Sequence, residues 1–224
     1  MSFRTSHLVG VFVVVSLALT ASTSAKAPKP GKTKKAAVTA APIVSQPAGT
    51  ILLNEPLATT ADKGWRTAKG KWEFIDGSWR GAELEADNHG AVTRHDARFT
   101  DVEIEFDFKF DGAKAISLSI NDPAGHNSRL GITPTSVRIT KDDHDHAGPD
   151  KAAQLGAGPA KFQAGTWYHA RIKQIGPSFE AQVGDLTLNG KHDAIAVGKS
   201  NIGLTVAGKT ASFKNLTVKV PTAE

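Results

Sequence analysis

The chain has 224 residues, no cysteine and a formal net charge of +5 at pH 7. Without cysteine there is no disulfide framework, no lipid-modified cysteine, no thiolate nucleophile and no thiolate metal site. The excess charge sits at one end: Arg4, Lys26, Lys29, Lys32, Lys34 and Lys35 have no acidic counterpart in the first 49 residues, and the rest carries 21 basic against 22 acidic residues. The high isoelectric point therefore gives no reason to expect a nucleic-acid partner.

The N-terminus has the three parts of a secretory signal peptide in order. Arg4, with His7, forms a short basic region, Leu8 to Leu19 is apolar, and the small residues Thr20 to Ala25 follow. Thr23 and Ala25 satisfy the small-x-small cleavage rule, which places the cut after Ala25; a cut after Ala27 also satisfies it but leaves Pro28 at the new N-terminus. The apolar run is 12 residues long, well short of the ~20 that cross a bilayer. Cleavage is therefore favoured over an uncleaved anchor, and no transmembrane segment is expected after it. Export without disulfides points to a bacterial protein, secreted or periplasmic.

Residues 26–49 are rich in Lys, Ala and Pro with little to bury, and are expected to form a disordered basic linker. A solubilising tether is the plain reading of it, contact with an anionic surface the specific one. Residues 50–222 suit a single domain, and their apolar residues recur with period two. Asp76-Gly77 between KWEFI and SWRGAEL is a short-hairpin signal. In the next clear run Val102, Ile104, Phe106, Phe108 and Phe110 point one way, while Glu103, Glu105, Asp107 and Lys109 point the other. Further short runs are ISLSI, SRLGIT, SVRIT, TWYHARIKQI, SFEAQV, NIGLTV and SFKNLTVKV, separated by Gly, Pro, Asn and Asp. Asp150 to Leu155 reads as one short helical turn, and the glycines of GAGPA read as turn residues. ILLN near the start and FKNLTVKV at the end are placed to pair as neighbouring strands. Roughly a dozen short antiparallel strands predict an all-β, two-sheet antiparallel β-sandwich of the jelly-roll type.

The order of KGKWEFIDGSWRGAEL, FTDVEIEFDFKF, GTWYHARIKQIGPSFEAQV and NIGLTVAGKTASFKNLTV resembles the concanavalin-A-like jelly-roll domains of bacterial polysaccharide-processing proteins. Within that group the chain is most similar to the 3-keto-disaccharide hydrolase domain family, which is related to the family 16 glycoside hydrolases. The resemblance covers residues 50–220 and is strongest at the W-x-F-x-D-G hairpin, the charged strand from Val102 and the closing F-K-N-L strand. It implies a domain that acts on or binds glycans. These motifs are specific for fold and weak for activity.

Three groups of residues are candidates for chemistry. Glu103, Glu105 and Asp107 lie at i, i+2 and i+4, which puts them on one strand face at ~6.6 Å intervals. A retaining glycosidase needs two carboxyls ~5 to 5.5 Å apart, one as nucleophile and one as general acid. The related family 16 enzymes use an E-x-D-x-x-E string, where this chain has E-I-E-F-D-F. The competing reading is the wet face of an amphipathic strand.

The second group is the polar loop from Lys141 to His146. There Asp142, Asp143, His144 and His146 are candidate ligands for a divalent metal, Ca²⁺ or a transition metal. An Asp-rich turn capping its own backbone would look the same. The third group is the sugar-contacting set. Trp65 and Trp79 are candidates for stacking on a pyranose face, and Arg94, His95, His126 and Arg129 for hydrogen-bonding hydroxyls. Trp72 and Trp167 alternate in phase with apolar neighbours and read as core. No nucleophile elbow, phosphate-binding glycine loop or zinc-protease helix is present.

Three functions remain open on the sequence: a hydrolase or lyase of glycosidic bonds, a non-catalytic glycan-binding or envelope-adhesion module, and a structural envelope component. The partner in the first two is a glycan or oligosaccharide.

Overall fold

The computed structural model describes residues 46–144 and 148–222. The expected signal peptide, most of the linker, and His146 lie outside the described residues.

The period-two pattern becomes strands almost throughout: β1 (Ile51–Glu55), β2 (Trp65–Lys69), β3 (Lys71–Ile75), β4 (Ser78–Ala82), β5 (Ala91–Phe99), β6 (Val102–Phe110), β7 (Ala113–Asp122), β8 (Gly125–Thr133), β9 (Ser136–Lys141), β10 (Ala153–Pro159), β11 (Trp167–Ile175), β12 (Ser178–Val183), β13 (Leu186–Lys191), β14 (Lys199–Gly208) and β15 (Thr210–Lys219). Two single-turn 3₁₀ helices, Glu85–Asp87 and Asp193–Ile195, complete the regular structure among the described residues. Sheet A runs β13-β12-β11-β6-β15-β4-β3, with β1 also paired to β15, and sheet B runs β10-β9-β8-β7-β14-β5-β2. The result is the expected antiparallel sandwich.

The core lies between the sheets and follows from the alternation. Ile104, Phe106, Phe108 and Phe110 of β6 are buried against Ile116, Leu118 and Ile120 of β7 and Ile202, Leu204 and Val206 of β14 within one hydrophobic cluster. Each such side chain contributes about 1.5–3 kcal/mol by leaving water. The β3–β4 hairpin turns at Asp76 (φ 50°) and Gly77 (φ 67°), the two positive φ values of a type I′ turn. The two ends of the domain meet as expected, with Ile51 opposite Lys219 and Leu53 opposite Val218.

Two local expectations are corrected. Asp150 to Leu155 forms no helical turn; its second half enters β10, which pairs with β9. The glycines of GAGPA also lie in that strand. A Cβ on Gly158 would stand 3.0 Å from Leu186 and one on Gly156 3.3 Å from Ile139, so both positions are small because side chains from neighbouring strands cover them.

The tryptophans are corrected as well. Trp79 is 4 % exposed. Its ring lies 4.9 Å from that of Trp72, 5.7 Å from Phe74 and 5.1 Å from Trp65. Trp65 is opposite His95 on β5, on the side of that strand that carries the buried Ala91, Thr93 and Ala97. Trp65, Trp79 and His95 therefore face the interior and present no ring to a sugar. Trp72 packs on the core as expected, whereas Trp167 is half-buried on the outer face of sheet A, with the Lys109 and Lys214 ammonium groups 5.2 and 4.3 Å from its ring.

Candidate functional site

Sheet A carries the three carboxylates on its outer face, where the alternation of β6 puts them. The register opposes each with cations from both neighbouring strands or one of them: Lys173 and Lys219 flank Glu103, Arg171 lies opposite Glu105, and His169 and Lys214 flank Asp107. Glu103 accepts hydrogen bonds from Arg171 Nε at 2.8 Å and approaches Lys219 Nζ at 3.1 Å. Glu105 accepts from Lys219 Nζ at 3.3 Å. Asp107 accepts from His169 Nδ1 at 2.9 Å and Asn215 Nδ2 at 2.7 Å. A hollow of about 450 Å³ lies here, lined in part by Glu103, Glu105, His169, Arg171 and Lys219.

Burial alone would raise the Glu103 carboxyl. The hydrogen bonds from Arg171 and Lys219 outweigh it and bring the pKa to about 2, and the same contacts raise both cations. A carboxyl held that low is ionised at any pH at which a glycosidase works and has no proton to give. Glu103 is thus held ionised by Arg171 and Lys219, and the charged side chains of this face pair with one another.

The described part of the expected metal loop, Asp142 to His144, is hydrogen-bonded to neighbouring strands. His144 offers Nε2 to Asp122 Oδ2 and Nδ1 to Asp150 Oδ2, both at 2.9 Å. Burial opposes a charge on this ring, but the two carboxylates raise its pKa. Both ring nitrogens are thus engaged by carboxylates in this structure. Asp150 is also ion-paired to Lys141. Asp142 turns instead to Arg129, at 2.8 Å, and takes a hydrogen bond from Thr140. Asp143 has a partner of its own. Among the described residues no three His, Asp or Glu side chains stand where they could hold a metal.

The outer face of sheet B is different. Its register sets Arg94 opposite Gly203, Gly203 opposite Ser119, Ser119 opposite Arg129 and Arg129 opposite Thr140. The neighbouring row is Asp96, Asn201, Asn121 and His126. Arg94, His126 and Arg129, expected as sugar contacts, are thus brought to one face, and His95 is not. Asn121 is 3 % exposed. It donates to Asn201 Oδ1 at 2.7 Å and accepts from His126 Nδ1 at 2.9 Å. Nδ1 is the donor in that bond. Arg66 forks onto Asp96 at 2.7 and 2.8 Å, and the Nε of Arg129 is buried without a hydrogen-bond partner.

The sequence reading missed Ser119, Asn121 and Asn201. The signal for the first two was present in ISLSIND: small polar side chains at alternate positions of a strand whose other face is Ile116, Leu118 and Ile120. Chemically the row offers two amides, a hydroxyl, guanidinium groups and one imidazole, a set suited to sugar hydroxyls.

The family model of the 3-keto-alpha-glucoside-1,2-lyase-like domain matches residues 52–219. Comparison with curated proteins gives no match. Among solved structures the fold is similar to the carbohydrate-binding module CBM66 from Bacillus subtilis, at 20 % identity and a TM-score of 0.55 over 70 % of this chain and 95 % of that one. It is also similar to a Bacillus subtilis protein of unknown function with a galectin-like fold, at 14 % identity and a TM-score of 0.56 over 78 % of this chain and 97 % of that one. A third neighbour, a putative glycosyl hydrolase from Parabacteroides distasonis, has 14 % identity and a TM-score of 0.51 over 75 % of this chain and 98 % of that one. At these identities the likeness is one of fold. Among the described residues no helix is long and apolar enough to cross a membrane.

Proposed function

The chain belongs to the family of the 3-keto-alpha-glucoside-1,2-lyase-like domain, and from that premise we propose that it binds a glycan on the outer face of sheet B. One observation carries the reading: on that face the Nε of Arg129 is buried with no hydrogen-bond partner among the described residues, near Asn121, which Asn201 and His126 hold in place. A site whose polar groups are already desolvated and oriented loses little more on meeting a hydroxyl. The carbohydrate-binding neighbour of the same fold supports it. The reading includes export, with a mature N-terminus at Lys26, which N-terminal sequencing of the processed protein checks.

Titration calorimetry of the mature protein against neutral and acidic oligosaccharides tests the binding. At least one should bind, and Asn121→Ala should weaken it about tenfold or more, as expected when a buried polar partner is lost. No binding to any glycan ends the proposal.

A second reading is favoured by His126. Elimination from a 3-keto-glucoside needs a base at the C2 proton, which the neighbouring carbonyl acidifies, and a donor for the carbonyl oxygen. With His126 as the base, the C2 proton passes to its ring, a C1–C2 double bond forms, and the C1–O bond breaks with its electron pair leaving on the aglycone oxygen. Arg129, three residues along the same strand, is the candidate donor. Product formation from a 3-keto-α-glucoside, abolished in His126→Ala with binding retained, supports the lyase. Binding without turnover leaves the module reading.

A further inference from the structure

The outer face of sheet B holds more cationic capacity than it neutralises. Arg66 is matched by Asp96 and Arg129 by Asp142. Arg94 and Arg138 have no side-chain ion pair or hydrogen bond among the described residues. Their stems are nevertheless placed. A Cβ on Gly203 would lie 3.3 Å from Arg94 Cγ, and one on Gly131 would lie 3.3 Å from Arg138 Cγ and 3.2 Å from its Nε. Arg94, on β5, therefore lies across β14, and Arg138, on β9, lies across β8. From opposite sides of the sheet both lean toward β7, where the outward residues are Ser117 and Ser119.

Four strand spacings separate β5 from β9 in the sheet order, roughly 19 Å at ~4.8 Å each. A guanidinium without a protein partner, carried on a stem resting over glycine, presents a planar fork that matches a carboxylate. We propose that the ligand of this face is an acidic glycan, a run of uronate sugars whose carboxylates engage Arg94 and Arg138. Between the two arginine stems the outward side chains of β7 are the short Ser117 and Ser119. The inference rests on the reading that sheet B binds a glycan, and specifies its charge.

Calorimetry with oligogalacturonate, its methyl ester and a neutral glucan of the same length tests it on the mature protein. Oligogalacturonate should bind, the methyl ester about tenfold or more weakly, and added salt should weaken the acid form more than the ester. Arg94→Gln and Arg138→Gln, which keep most of the stem, should each remove most of the preference for the acid, with unchanged melting temperatures showing that the sheet is intact. Equal affinity for acid and ester, or binding of the neutral glucan alone, overturns the acidic ligand and leaves the glycan reading standing. No binding of any of the three overturns both. Equal binding of a polyphosphate and the oligogalacturonate would show a general anion surface and also overturn it.

Discussion

The two outer faces of the sandwich are built from the same alternation and end in opposite states. On sheet A the charged residues of β6, β11 and β15 oppose one another in register, so Glu103 meets Arg171 and Lys219 and Asp107 meets His169. On sheet B the outward arginines are not all matched by carboxylates, and Arg94, Arg138 and the Nε of Arg129 lack hydrogen-bond partners among the described residues. A dense row of carboxylates draws attention in a sequence because it looks like acid–base machinery. Density also lets such groups satisfy one another, and binding capacity lies where polar groups have not found protein partners.

The sharpest way to break this comparison is at Glu103, which is 5 % exposed and touches two cations. Glu103→Gln should cost about 3 kcal/mol in urea unfolding at pH 7, the low end for breaking a buried ion pair, and leave glycan affinity unchanged. The folded-state pKa is depressed from 4.5 to about 2. Its stabilising effect is therefore complete above pH 4.5 and is lost as pH falls through about 2, so the gap between wild type and variant should close over that window. If Glu103→Gln abolished turnover while stability was untouched, the reading of paired charges would be wrong and sheet A would be the site.

Much of the fold was legible because it depends on periodicity. The run Val102 to Phe110 became β6 with the expected faces, and Asp76-Gly77 became the β3–β4 turn. The site was legible only in part, because a strand pattern says which residues share a face and not which partners the other strands bring. Glu103 could not be known as ion-paired until β11 set Arg171 beside it, and no local signal told that Trp167 points outward while Trp79 points in. Loop composition alone pointed to Asp142 and His144, and it is blind to their partners Arg129 and Asp122, which come from β8 and β7. Arg94, His126 and Arg129 were singled out by residue type alone, and register places them on one face of sheet B.

His144 separates the loop after β9 from both faces, with a smaller effect. Its pKa is raised above the usual 6.5 because the hydrogen bonds from its ring to Asp122 and Asp150 outweigh burial. Its contribution should be complete below pH 6.5 and lost as pH rises through the higher folded value. His144→Gln should then cost about 1 kcal/mol near pH 6 and progressively less above, as for a partly exposed ion pair. A melting temperature raised by Zn²⁺ or Ca²⁺ in wild type but not in His144→Gln would show instead that the ring gives up its carboxylates to a metal.

Trp167 gives the smallest effect and the finest test. An accessible tryptophan is the natural platform for a sugar, and this one is on the outer face of sheet A. Its ring is already engaged by the ammonium groups of Lys109 and Lys214, so a pyranose would have to displace cations that compete for the same π surface. Trp167→Ala should cost about 0.5–1 kcal/mol in stability, the size of an exposed cation–π contact, with no change in glycan affinity by calorimetry. A loss of binding there, with Asn121→Ala silent, would move the ligand from sheet B to sheet A and make the lysines its clamps.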